Sequence, residues 1–154
     1  MKAVIQRVKE AKVIVQGEVV GSILKGALIF LGVEKGDTEA DAEALARKIS
    51  FLRMFPSPQG ERMDLAAFEM SGEYLVVSQF TLAADLGKGN RPSFDNAAPP
   101  EIAEKLYEFF VTKLKAIGAC RVATGKFRAM MDVILINDGP VTFILDTDTM
   151  KTVQ

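Results

Sequence analysis

Hydrophobic positions open the chain in two short runs, Ala3-Val4-Ile5-Gln6-Arg7-Val8 and Lys12-Val13-Ile14-Val15, both rich in β-branched residues and both read as strands. Gln16-Gly17-Glu18 then turns the chain into Val19-Val20, so the first third begins as a meander. Gly26 and Gly32 bracket Ala27-Leu28-Ile29-Phe30-Leu31, a run with no polar alternation. Such a run predicts a central strand covered on both faces.

The period then changes from two to 3.6. Asp37 or Thr38 supplies a helix cap, and Ala42, Leu45, Ala46, Ile49 and Leu52 recur on one face while the other face is charged. Pro56-Ser57-Pro58-Gln59-Gly60 reads as a loop, because neither proline continues a helix. Glu73 to Thr81 predicts another strand, and the polar stretch from Asp85 to Ala98 a long loop. Pro99-Pro100 opens a second helix with Ile102, Leu106, Phe109, Phe110 and Leu114 as its apolar stripe. Three more strands are expected around Cys120 to Ala123, Met130 to Ile136 and Val141 to Leu145. No linker, repeat or low-complexity tract divides residues 1–154, which read as a single α/β domain.

Composition narrows the class. A chain of 154 residues with 49% hydrophobic content buries about two-thirds of its unfolded surface and needs no staple. Lys+Arg number 19 against 20 Asp+Glu, a net charge of -1, so a nucleic-acid partner has to be held by a local basic patch. The single Cys120 forms no internal disulfide. Lys2, Arg7, Lys9 and Glu10 interrupt the first apolar residues, which do not read as a signal peptide, and a cytoplasmic setting is the expectation. The longest apolar run, Ala27 to Val33, falls far short of the roughly 20 residues a membrane helix needs.

The chain contains no histidine. That removes Ser-His-Asp and Cys-His triads and an imidazole base, and with one cysteine the ordinary zinc sites are removed too; no metal and no cofactor is implied. Gly87-Lys88-Gly89-Asn90-Arg91 lacks the spacing of a nucleotide-binding P-loop and follows no strand-to-helix unit.

Two segments remain. Ser78-Gln79-Phe80-Thr81-Leu82 ends the apolar strand, and alternation sets Gln79 and Thr81 on one face and Ser78, Phe80 and Leu82 on the other. Taken alone it is the end of a core strand or a site at a strand end. Asn137-Asp138-Gly139-Pro140-Val141-Thr142 has the chemistry of a hairpin turn, with the runs on either side free to pair across it. Pro140 fits that reading poorly, since it has no N–H for hairpin pairing, and a cis Gly139–Pro140 peptide is the alternative.

Together, in this order, the two segments resemble the signature pair of the D-aminoacyl-tRNA deacylases. The resemblance covers nearly the whole chain: Gln6-Arg7-Val8, Glu34-Lys35-Gly36-Asp37, Arg47-Lys48-Ile49 and Gly89-Asn90-Arg91-Pro92-Ser93-Phe94 also match. It implies a single three-layer β/β/α domain with mostly antiparallel sheets and two main helices, assembled as a homodimer with a site at each interface. The implied activity is hydrolysis of the ester bond of D-aminoacyl-tRNA, and of glycine mischarged on tRNA(Ala). Selectivity would arise by steric rejection of L-amino acids through a cross-subunit Gly-cis-Pro motif, Gly139-Pro140 here. Ser78, Gln79, Phe80 and Thr81 would line the aminoacyl pocket, with N–H donors near Gln79 and Phe80 for the oxyanion. Thr81 is either a nucleophile or, as the family favours, a positioning group for water attack assisted by the terminal ribose 2′-hydroxyl. Arg7 would orient the Gly139-Pro140 carbonyls, Asn137 would join Ser78, Arg7, Gly139 and Pro140 in binding the substrate, and Lys88, Arg91, Lys126 and Arg128 are candidates for contact with the tRNA.

Two departures stand out. Phe127-Arg128-Ala129 replaces the family's usual Phe-Gly-Ala, and Met63-Asp64-Leu65-Ala66 its usual Met-Asn-x-Ser. The competing class is a non-enzymatic oligomeric RNA- or ligand-binding module, which also needs no histidine.

Overall fold

The computed structural model describes residues 1–60, 62–87, 89–118 and 120–151. The two opening runs form one strand, β1 (Lys2–Val15). Gln16 and Gly17 follow at φ 52° and 84°, the paired positive dihedrals that a two-residue hairpin turn demands, and lead into β2 (Glu18–Ile23). The first half of β1 pairs antiparallel with β3 (Gly26–Gly32), the second half with β2. After a short pair, β4 (Phe55–Pro56) with β5 (Met63–Leu65), the chain returns as β6 (Glu73–Ser78) parallel to β3, and β7 (Val122–Thr124) lies parallel to β6. On its other side β1 pairs along its length with β8 (Asp132–Asp146). The Thr124 carbonyl of β7 comes against Gly21 of β2, so the mixed sheet is nearly closed. Antiparallel pairing therefore prevails around β1, while β3, β6 and β7 run parallel.

Among the described residues three helices accompany the sheet: α1 (Glu39–Ser50), α2 (Pro100–Gly118) and the short α3 (Thr147–Lys151). The lack of polar alternation in β3 has a direct cause, because its two faces serve different cores. Ala27, Ile29 and Leu31 pack with Leu45 and Ile49 of α1 and Phe110 and Leu114 of α2. Leu28 packs with Val8, Val13, Leu75 and Val77. Each such fully buried aliphatic side chain contributes about 1.5–3 kcal/mol, so the two cores lock the central strands from both sides.

Thr38 caps α1 in a reciprocal pair: its amide donates to Asp41 Oδ2 at 2.9 Å, and the Asp41 amide donates to Thr38 Oγ1 at 3.4 Å. Leu52 falls past the end of that helix, and Ile102 at the start of α2 is exposed while Tyr107 and Val111 join the buried stripe. Burial pushes the Tyr74 and Tyr107 phenols well above their usual range, and both act as protonated donors, to the Ile49 and Val76 carbonyls. The Met1 ammonium donates to Asp37 Oδ1 at 2.6 Å and to Thr147 Oγ1 at 2.7 Å, tying the start of β1 to α3. Among the described residues no helix is long and apolar enough to cross a membrane.

Two expectations are corrected here. The strand expected from Glu73 to Thr81 ends at Ser78, and Phe80–Ala83 form a 3-10 turn. The runs around Met130–Ile136 and Val141–Leu145 are not the arms of a hairpin but parts of the single strand β8, whose partner is β1. The turn-like residues between them bulge out: Gln6 faces Thr142 and Val8 faces Asn137, so two steps along β1 span five along β8.

Candidate active site

Because β3, β6 and β7 run parallel, the segments that leave their C-terminal ends emerge at one edge of the sheet. Gly32 closes β3, Gln79 follows β6 and Gly125 follows β7. Open clefts at such an edge are where ligands meet parallel sheets.

At the end of β6 the backbone breaks from strand into the 3-10 turn, with Gln79 at φ -142°, ψ 81°. The Gln79 amide donates to the Leu31 carbonyl at 2.8 Å and is occupied in the sheet. The amides of Phe80 and Thr81, first in the turn, meet no backbone acceptor among the described residues. Of the amides around Gln79 and Phe80, that of Gln79 is taken up by the sheet, while those of Phe80 and Thr81 point out of the ladder. Gln79 and Thr81 do meet, but through the turn and not through strand alternation: Gln79 Nε2 donates to Thr81 Oγ1 at 2.5 Å. Ser78 is half-buried at the strand end, and Thr81 is exposed.

Gly32 makes this turn possible. A Cβ on Gly32 would lie 2.8 Å from Leu82 Cβ and 3.0 Å from the Gln79 carbonyl oxygen. The sequence offered no sign of this role, since the glycine reads there as the plain end of a strand.

The second segment sits in the β8 bulge. The Gly139–Pro140 peptide is cis, Gly139 has φ +133°, and both residues are exposed. Arg7, only 12% exposed, anchors the bulge, although not through the carbonyls expected. Its Nε donates to the Asp138 carbonyl at 3.0 Å and lies 3.4 Å from Asp138 Oδ2, and its Nη1 donates to the Met54 carbonyl at 2.8 Å. The guanidinium thus grips the residue before Gly139, and among the described residues it makes no hydrogen bond to the Gly139 or Pro140 carbonyl. Asn137 is exposed opposite Val8.

The chain does not bring the two segments together within itself. Ser78 is level with Leu31 and Ala3, whereas the bulge lies at Arg7 on the far side of β1. Strand geometry places them about 13 Å apart along the sheet and about 14 Å across it.

Of the candidate tRNA contacts, Arg91 lies on the loop after the 3-10 turn, and Lys126 and Arg128 on the turn that follows β7; all three are exposed. Lys88 lies outside the described residues. Arg128 adopts φ +60°, the left-handed region that favours glycine. Arg128→Gly is expected to stabilise the protein by about 0.5–1 kcal/mol, the left-handed penalty of arginine exceeding the entropy glycine adds to the unfolded chain. The check is thermal unfolding, with a rise in Tm of roughly 1–4 °C; a fall would show that the arginine makes compensating contacts.

The family model described as D-Tyr-tRNA(Tyr) deacylase matches residues 4–146. A D-aminoacyl-tRNA deacylase of Geobacter sulfurreducens is 56% identical over 152 residues, 99% of this chain and 99% of its own. That of Thermotoga petrophila is 54% identical over 150 residues, 97% of this chain and 99% of its own. Among solved structures, the c-Myc DNA Unwinding Element Binding Protein matches with a TM-score of 0.89 at 40% identity, covering 95% of this chain and 98% of its own. A probable eukaryotic D-amino acid tRNA deacylase matches with a TM-score of 0.79 at 14% identity, over 94% of this chain and 97% of its own, a likeness of fold.

Proposed function

The chain belongs to the D-aminoacyl-tRNA deacylase family and is a hydrolase of that class, and on that premise we propose how its site selects and cleaves the substrate. The aminoacyl group of a D-aminoacyl-tRNA rests against Ser78, Gln79, Phe80 and Thr81. The free amides of Phe80 and Thr81 donate to the ester carbonyl oxygen as it gains negative charge, an interaction that strengthens in the transition state. Water attacks the carbonyl carbon, its proton passing by way of the terminal ribose 2′-hydroxyl. The ester C–O bond then breaks, and the free amino acid and the tRNA 3′-hydroxyl leave. Thr81, hydrogen-bonded to Gln79, positions the substrate.

Chirality is read by the partner subunit. In a homodimer of three-layer β/β/α domains, Gly139 and Pro140 of one chain enter the pocket of the other, and their carbonyls fill the volume an L-side chain requires. The observation that carries this reading is the separation of the two segments within one protomer: no single chain builds a pocket from both. The β8 edge supports it, since among the described residues β8 pairs only with β1, and it presents Ile134, Ile136 and Ile144 to solvent. Glycine on tRNA(Ala) passes the same filter, and the basic residues Arg91, Lys126 and Arg128, with Lys88, meet the acceptor stem. The setting is cytoplasmic translation quality control.

The test is release of D-tyrosine from D-tyrosyl-tRNA at substoichiometric protein. Multiple turnovers support the reading; stoichiometric tRNA binding without release supports an RNA-binding module instead. Thr81→Ala is expected to keep deacylation within about tenfold of wild type, because an unactivated hydroxyl is a weak nucleophile and only its positioning is lost. A folded but inactive variant would make Thr81 the nucleophile.

A further inference from the structure

At the start of the 3-10 turn, Phe80 is 58% exposed. Its ring has one aromatic neighbour among the described residues: Phe94, with ring centroids 5.0 Å apart and planes inclined at 63°, an edge-on contact. Phe94 comes from the loop between the turn and α2, and that loop is clamped at two places. Asp85 and Ser93 exchange backbone hydrogen bonds of 2.8 and 3.0 Å, closing its first part into a bridge. Further on, the Lys35 amide donates to the Asn96 carbonyl at 2.9 Å and the Ala98 amide to the Val33 carbonyl at 3.1 Å. Phe94 itself is held by the Ala97 amide, which donates to its carbonyl at 3.0 Å. The ring is therefore presented from fixed backbone on both sides, anchored on the segment that continues β3.

We infer that Phe94 is a positioning residue for the deacylation: by bracing the Phe80 ring it fixes the orientation of the Phe80 and Thr81 amides. The braced object is a single short turn held from below by Gly32 and by the Gln79–Leu31 hydrogen bond. From above, Phe94 supplies the aromatic contact that keeps the turn from rotating about that support. The inference rests on the proposed use of those two amides, and it makes no demand on Phe94 as a group that touches the reacting atoms.

The experiment compares wild type, Phe94→Ala and Phe94→Tyr in single-turnover deacylation of D-tyrosyl-tRNA, alongside amide NMR spectra of the free proteins. Phe94→Ala is expected to lower the rate at saturating enzyme by roughly tenfold, since small misplacement of a catalytic donor is costly, with the half-saturating concentration changed less than about twofold. Phe94→Tyr, which keeps the ring, should return the rate to within about twofold of wild type. In the spectra, the Phe80 and Thr81 amides should shift in Phe94→Ala while those of Leu75, Val76 and Val77 stay in place. Unmoved Phe80 and Thr81 amides overturn the inference whatever the activity. Moved amides with an unchanged rate overturn the use of those amides in catalysis, and so the proposed mechanism itself. A loss of rate that Phe94→Tyr fails to restore also overturns the inference.

Discussion

Gly32→Ala is expected to lower the single-turnover rate on D-aminoacyl-tRNA by on the order of a hundredfold while leaving a folded protein. The added methyl would lie 2.8 Å from Leu82 Cβ, closer than real side-chain carbons approach, and a tight 3.0 Å from the Gln79 carbonyl oxygen. Gly32 is locked in β3 by its pairing with Lys2, so the 3-10 turn is the part that yields. Overpacking of this kind costs about 1–3 kcal/mol of stability, which two buried cores absorb. Catalysis is expected to be less tolerant, because the same displacement carries the Phe80 and Thr81 amides away from the proposed oxyanion position. Thermal unfolding and single-turnover kinetics measured on one preparation separate the two effects. A rate near that of wild type would mean that the turn adjusts without moving its donors, and the role given to them would be wrong.

The features that proved legible in the sequence are those whose causes are local. Thr38 and Asp41 cap α1 reciprocally within four residues, and the cap was visible as a residue type at a helix start. The uninterrupted apolar run of β3 announced burial on both faces, and two cores account for it. The end of β6 was not legible, because Phe80 and Leu82 alternate with Gln79 and Thr81 as strand residues do. The turn that follows packs against Gly32, nearly fifty positions earlier in the chain, where a side chain would leave it no room.

The β8 bulge misled for a related reason. Asp138-Gly139 carries the chemistry of a local hairpin, yet both flanking runs pair with β1, at the other end of the chain, and Arg7 grips Asp138 from there. Local turn signals cannot report a partner so distant in sequence. The candidate site residues are legible through resemblance to a family and not through periodicity, and the arginine at position 128 is plain in the sequence while its left-handed backbone is not.

The largest effect is expected in substrate choice. If the Gly139 and Pro140 carbonyls of the partner subunit occupy the volume of an L-side chain, the site works by rejection and need not recognise a D-side chain at all. Glycine offers nothing to reject. L-alanine extends one methyl into occupied space, and a rigid pocket that cannot yield to it should slow the reaction by roughly two orders of magnitude or more. Recognition of the D-side chain would give the opposite ranking for glycine, which has no side chain to be recognised.

The measurement is single-turnover release from D-alanyl-, glycyl- and L-alanyl-tRNA at equal enzyme excess. Chiral rejection predicts hydrolysis of D-alanyl- and glycyl-tRNA beside an essentially untouched L-alanyl-tRNA; inert glycyl-tRNA beside active D-alanyl-tRNA would contradict it and show that the pocket binds the D-side chain.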